Sequence, residues 1–355
     1  MINRTVAIAQ GKGGVGKTSV TTNLGGLTAA SGLRVLIVDL DQQGNVARDL
    51  GLETNSGEEL FEALTSSKGD LDVTRQVRPN LDVVLGGPAM GDAASTFASR
   101  EQRGGGTLAE ALERKLAAIA DDYDLILLDT PPGDRIVTEA ALIAAAAVVI
   151  PTRADQASID GVARIAERFI AVRDRNPHLR LAGVALFAMA TRAGRLERDL
   201  RGTLEEILGS AAPVFATRIR DLHTAAADAR VRGLLVHELE QAGNQLRKER
   251  ITALSEARIR ARLAQALTDR GREDLGARLE SLNAADRDQL EGFVNELTAA
   301  GLADLANRAA GLTGAERPQE LYARDAAGLA SDYENLAHEL LVRIAEIEEE
   351  VSVLA

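Results

Sequence analysis

Ten residues, Gln10-Gly11-Lys12-Gly13-Gly14-Val15-Gly16-Lys17-Thr18-Ser19, restrict the folds open to this chain more than any other stretch. They follow an apolar run, Thr5 to Ala9, that reads as a buried strand, and they lead into helical spacing at Val20, Leu24, Leu27 and Ala30. Gly11 to Thr18 satisfies G-x-x-x-x-G-K-[ST] in the strand–loop–helix setting that motif requires. Glycines let successive backbone N–H groups curl around a phosphate without Cβ clashes. The helix that starts here adds its positive end. In this pattern Lys17 reaches the β- and γ-phosphates of a nucleotide and Thr18 ligates Mg²⁺.

Two further strands end in carboxylates. Arg34 to Asp39 reads as a strand buried on both faces, as in a parallel sheet, and feeds Asp39-Leu40-Asp41-Gln42-Gln43-Gly44-Asn45. Tyr123 to Asp129 is an apolar strand that delivers Asp129 to a Mg²⁺ shell and runs on into Thr130-Pro131-Pro132-Gly133. Ligands of open α/β sheets bind at such strand ends. More strands are expected at Leu81–Leu85, Ala147–Pro151, Leu181–Phe187 and Pro213–Thr217, with helices between them near 56–64, 107–120 and 155–173. Residues 91–106, small and polar, read as a surface loop. This alternation predicts a doubly wound, mostly parallel sheet over the first two-thirds of the chain.

The absence of cysteine rules out disulfides, cysteine-held zinc and iron–sulfur clusters. Aromatic residues make up 3% with no Trp, so stacking on nucleic-acid bases is not the binding mode to expect. The net charge of −12 leaves any capture of DNA or anionic lipid to a local patch. No secretory leader and no run of about 18 apolar residues is visible, which points to a cytoplasmic protein.

The glycine-rich stretch carries a second lysine that an ordinary phosphate loop does not need. Lys12-Gly13-Gly14-Val15-Gly16-Lys17-Thr18 resembles the deviant Walker A motif of the ParA/MinD family of dimerising ATPases. Asp39 to Asn45 is similar to that family's D-x-D-P-Q-G-N segment, with Gln42 replacing the proline, and Asp129-Thr130-Pro131-Pro132-Gly133 resembles its third motif. The likeness covers about residues 1–240. It implies ATP and Mg²⁺ as cofactors, and an ATP-dependent homodimer in which Lys12 reaches the partner's nucleotide. It further implies that Asp41 orients the attacking water and that Asp39 lies near Mg²⁺.

Within the family the chain looks most like partition ATPases, in which an ATP dimer binds nonspecific DNA on the nucleoid and a ParB-like protein stimulates hydrolysis. About ten residues precede the loop, leaving no room for an N-terminal helix-turn-helix domain. Arg192, Arg195, Arg198 and Arg201, recurring every three residues, with Arg218 and Arg220, are either the DNA contacts or a solvated face. Thr217-Arg218-Ile219-Arg220 departs from the family's T-x-I-P-R. A MinD-like membrane cycle is the alternative. Gln42-Gln43-Gly44-Asn45 and an acidic C-terminus argue against it.

Residues 241–355 resemble nothing recognised and read as an all-helical extension, with helices expected at about 244–270, 272–283, 285–310 and 318–353. Tyr333, Ala337, Leu340, Ile344, Ile347, Val351 and Leu354 form a heptad, either a short coiled-coil seam or a helix packed on its own bundle. A scaffold whose tail binds a partner, with the ATPase as gate, is the third reading.

Overall fold

The computed structural model describes residues 2–66, 69–209, 213–315 and 326–354. The chain opens with β1 (Ile2–Ile8), α1 (Lys17–Ala30), β2 (Val35–Asp39), α2 (Asn45–Asp49) and α3 (Glu58–Thr65). A hairpin of the polar β3 (Thr74–Arg78) and the buried β4 (Leu81–Val84) leads to α4 (Ala93–Gln102) and α5 (Leu108–Ala117). Then come β5 (Leu125–Asp129), α6 (Arg135–Ala144), β6 (Ala145–Thr152), α7 (Gln156–Ala171), β7 (Arg180–Met189), α8 (Gly194–Leu208) and β8 (Val214–Arg220).

The eight strands form one sheet in the order β3-β4-β2-β5-β1-β6-β7-β8. Only the β3–β4 pair is antiparallel. Every residue of β2 and of β5 is buried, as their unbroken apolar runs require of strands covered on both faces. The register sets Ile8 and Asp39 each beside Asp129, so three strand ends converge on one point.

Within residues 91–106, expected as a loop, Ala93–Gln102 is helical, and the glycine-rich end, 103–106, is turn and coil. Ala93 and Phe97 of α4 turn inward and join the core beside Met90, which precedes the helix, and the Arg100 guanidinium lies 5.2 Å from the Phe97 ring centre. One apolar residue per turn was enough to fold a segment that small polar residues otherwise mask.

After α9 (His223–Arg232), α10 (Val236–Thr268) runs without a break through the expected boundary of 240/241. The chain nevertheless divides into two compact units near that point. The first holds residues up to Leu239 together with the last helix, α14 (Ala327–Leu354). The second starts at Glu240 and is therefore an insertion, not a C-terminal extension. The division expected from the sequence, 1–240 and 241–355, differs in just this: the last helix belongs to the first unit.

The heptad explains why. Tyr333, Ala337, Leu340 and Ile347 are buried, and α14 packs along α1, β7 and β8 instead of presenting a seam for another chain. Its carboxylates finish the free edge of β8. Glu339 accepts from the Ala216 and Thr217 amides at 2.7 and 2.8 Å, and Asp332 accepts from the Arg220 amide at 2.9 Å. On the carbonyl side the Arg201 guanidinium donates to Phe215 and Ala216 at 2.9 and 3.0 Å. An edge strand so satisfied cannot template pairing with a second chain.

The second unit folds around its own leucine-rich core: Leu263 and Leu267 of α10 meet Leu275 and Leu279 of α11 (Glu273–Glu280), Leu290 and Phe293 of α12 (Arg287–Ala299), and Leu305 of α13 (Ala303–Ala309). The single helix expected over 285–310 is broken at Gly301, whose φ of +75° suits glycine. The turn expected at Pro318, and the start of the helix expected over 318–353, lie outside the described residues.

Candidate functional site

The phosphate loop joins β1 to α1 at the C-terminal edge of the sheet, where the strand order reverses about β1. Buried Gln10 anchors its first turn, donating to the Pro151 and Ser158 carbonyls at 3.2 Å each and accepting from the Gly11 amide at 2.7 Å. Gly16 caps α1 with φ +91°, and a Cβ there would lie 2.5 Å from the Phe187 ring. Gly13 and Gly14 face solvent, whereas Lys17 and Thr18 are buried at the helix start. Lys17 Nζ donates to the Lys12 carbonyl at 3.3 Å, across the cradle. Ser19 opens the helix beside them.

Behind the loop sit three carboxylates. Asp39 and Asp129 are 0% exposed and Asp41 is 4% exposed. Thr18 Oγ1 donates to Asp129 Oδ2 at 2.7 Å, and Thr21 Oγ1 lies 3.2 Å from Oδ1. Asp39 accepts from the Asp41 and Val46 amides at 3.0 and 3.2 Å, and Asp41 accepts from the Gln43 amide at 3.0 Å. Burial pushes Asp129 up to about 7 despite these hydroxyls and Lys17. Burial, then repulsion from Asp129, holds Asp39 well above the usual carboxylate range, and burial raises Asp41 too. Burial also lowers Lys17, against the pull of Asp129 and Asp41.

The local charge is thus incomplete, with one buried ammonium among three buried carboxylates. Among the described residues no group of three or more His, Cys, Asp or Glu closes a metal cage. A hydroxyl with one or two carboxylates, the rest of the shell coming from phosphate and water, is the arrangement that suits Mg²⁺. Thr18, Asp129 and Asp39 provide that donor set.

Lys12 lies outside the cradle. Its Nζ is 2.6 Å from Asp155 Oδ1 and 3.3 Å from Ser158 Oγ, and its side chain is one-third exposed. Asp155 is also the N-cap of α7, accepting from the Ser158 amide. The hydrogen bond from Lys12 holds its carboxyl below the usual range. From the sequence Asp155 reads only as a helix opener, because its lysine is 143 residues away. Arg153, 3.4 Å from the Gly14 carbonyl, likewise gives no local signal.

The six arginines do not form one surface. Arg201 and Arg218 share Glu197, and Arg220 forks onto Asp332 at 2.7 and 2.8 Å. Burial pushes Glu197 up, but the two guanidiniums outweigh it and hold it below the usual range. Arg192, Arg195 and Arg198 remain exposed, Arg195 with 91% of its side chain in solvent.

Sheet order, glycine loop and strand-end carboxylates together define a P-loop nucleotide-binding protein. A protein-family model described as an AAA domain matches residues 3–181, half of the chain. The chain is 32% identical to the chromosome partitioning protein ParA of Caulobacter vibrioides over 248 residues, 68% of this chain and 90% of that one. It is 36% identical to the chromosome-partitioning ATPase Soj of Thermus thermophilus over 211 residues, 57% of this chain and 78% of that one. Its fold is similar to cobyrinic acid a,c-diamide synthase of Mycobacterium smegmatis, solved with ADP and magnesium, with a TM-score of 0.55 and 25% identity over 65% of this chain and 93% of that one. The chain belongs to the ParA/MinD-type ATPase family.

Proposed function

We propose that this chain is a nucleotide-switched partition ATPase that positions or segregates DNA. Like its family it is an ATP hydrolase that works with Mg²⁺. In this reading the loop amides from Gly11 to Ser19 and the Lys17 ammonium bind the phosphate chain. Thr18, Asp129 and Asp39 are the residues that would hold the metal. When bound, Mg²⁺ neutralises phosphate oxygens and draws charge off the leaving group. Asp41 accepts a hydrogen bond from the attacking water and aligns it. Lys12 leaves Asp155 and reaches the nucleotide of a second copy, so ATP joins two subunits and hydrolysis parts them. Paired basic surfaces hold duplex DNA only while the dimer lasts. A ParB-like partner speeds the reset, on the nucleoid in the cytoplasm.

One observation carries the reading: buried carboxylates with too few cations stand directly behind a loop whose extra lysine is parked outside it. The test is binding to a random-sequence duplex at fixed salt with ATP and with ADP, alongside mass by light scattering. ATP-dependent doubling of mass together with ATP-only binding is the expected result. A chain that binds no duplex in any nucleotide state would refute the partition mechanism. Among the described residues no helix is long and apolar enough to cross a membrane.

A further inference from the structure

We infer that the inserted unit carries the main phosphate-backbone contact, on the outer face of α10. The inference rests on the DNA-binding reading above and relocates its surface. Residues 247–262 hold six Lys or Arg and two Glu in a chain of net charge −12. At about 100° per residue, Arg247, Arg250, Arg258 and Arg262 fall within an arc of ~120°, with Lys248 at its margin. All five are exposed. The opposite side of the helix holds Ala253, Glu256, Leu263 and Leu267, which are buried. The two acids of the stretch, Glu249 and Glu256, lie on that opposite side as well. Glu256 is spent on Arg260 and on the backbone of Thr313 to Ala315.

Charge complementarity selects the occupant. No carboxylate among the described residues pairs with Arg247, Lys248, Arg250, Arg258 or Arg262 within 4.0 Å, whereas Arg201, Arg218 and Arg220 are all committed to Glu197 or Asp332. Four unpaired guanidiniums spread along about 22 Å of one helix match a regularly charged polyanion. The large apolar residues within the arc are Ile251 and Leu254, 59% and 37% exposed. Two aliphatic side chains are too narrow a strip to seat a helix in a bilayer, so duplex nucleic acid is the partner.

The test uses the full chain and the variant R247A/R250A/R258A/R262A, in which alanine preserves helix propensity. Anisotropy of a labelled random-sequence duplex is followed with ATP between about 50 and 200 mM salt. Affinity is expected to fall at least about tenfold, and the slope of log K against log salt by about 3 to 4. ATP turnover and thermal unfolding stay as in the parent, and R258A/R262A loses about half the slope. A quadruple variant that binds like the parent, with loss instead in R192A/R195A/R198A, overturns the inference and leaves the proposed function standing. Parent protein that binds no duplex at all overturns both. Parent protein that binds phosphatidylserine vesicles but no duplex, with the quadruple variant losing that binding, assigns the face to a membrane and overturns the inference as well.

Discussion

Two groups of buried carboxylates in this molecule have opposite electrostatics. Glu256, in the inserted unit, receives the Thr313, Gly314 and Ala315 amides at 3.0 Å each, the Thr313 hydroxyl at 2.8 Å and the Arg260 guanidinium at 3.3 Å. Burial alone would raise it, but these donors hold it down to about 2. Asp39 and Asp129, at the phosphate loop, are at least as deeply buried, share few donors, and lie above the usual range. Desolvation acts on both groups, and the balance between donors and the repulsion of neighbouring carboxylates decides the sign. A carboxylate with a full set of donors fastens architecture. One left short of positive charge waits for a ligand that brings it.

That contrast can be broken at several points. The largest effects belong at the loop. K17A should abolish nucleotide binding, and D41A should keep it while turnover falls at least about 100-fold and the ATP dimer persists. Isothermal titration and a phosphate-release assay separate the two, and undiminished turnover in D41A would remove that residue from the reaction. Next comes E256A, which leaves three amides and the Thr313 hydroxyl without their acceptor, while Arg260 keeps the Leu279 and Leu282 carbonyls. A loss of about 3 kcal/mol is expected, read by hydrogen exchange at Thr313 to Ala315. If exchange there does not change, the clasp is not structural.

The same carboxylate gives a pH signature. Its folded-state value, about 2, lies below the ordinary 4.5, so the unfolded chain binds the proton first as pH falls. Its stabilisation is therefore complete above about 4.5 and disappears as pH drops through about 2. E256Q should flatten this acid response of the inserted unit. At the loop the sign reverses: D129N relieves a desolvated charge and should raise the stability of the nucleotide-free chain by about 1 kcal/mol while weakening Mg²⁺-nucleotide binding. Stability and binding falling together in D129N would erase the distinction between the two groups. Smallest of all, R195A should change stability by less than about 0.5 kcal/mol, since its only carboxylate, Asp199, is 3.9 Å away in open solvent.

A second pair of regions repeats the lesson for cations. In sequence the arginines of α8 and those of α10 look alike. In the fold, Arg201 of α8 lies against the carbonyls of β8, and Arg218 and Arg220 of β8 are tied to carboxylates from α8 and α14, which leaves Arg195 and Arg198 of α8 exposed, whereas all of Arg247, Arg250, Arg258 and Arg262 stay exposed with no carboxylate within 4.0 Å among the described residues. Counting basic residues locates charge but not charge that is available to a partner.

Local sequence accounts for seven of the eight strands and most of the loop; β3, Thr74-Arg75-Gln76-Val77-Arg78 at the sheet edge, carries no apolar run to announce it. Each motif is contiguous, and the chemistry of each follows from neighbours along the chain: glycines that curl a loop, apolar runs that need covering on both faces, an aspartate at a strand end. The expectation of Asp39, Asp41 and Asp129 around Lys17 and Thr18 required only that β1, β2 and β5 lie side by side, and they do. The tertiary structure decided what depends on residues far apart in the chain. It brought Asp155 to Lys12, 143 positions away, and Glu339 to Thr217, 122 positions away. It also returned the last heptad to β8, making the unit from Glu240 to Arg324 an insertion where the sequence suggested a tail. A heptad states which side of a helix is apolar but not what covers it. That choice is made by whichever surface has matching unsatisfied groups, and here it was the bare edge of a strand.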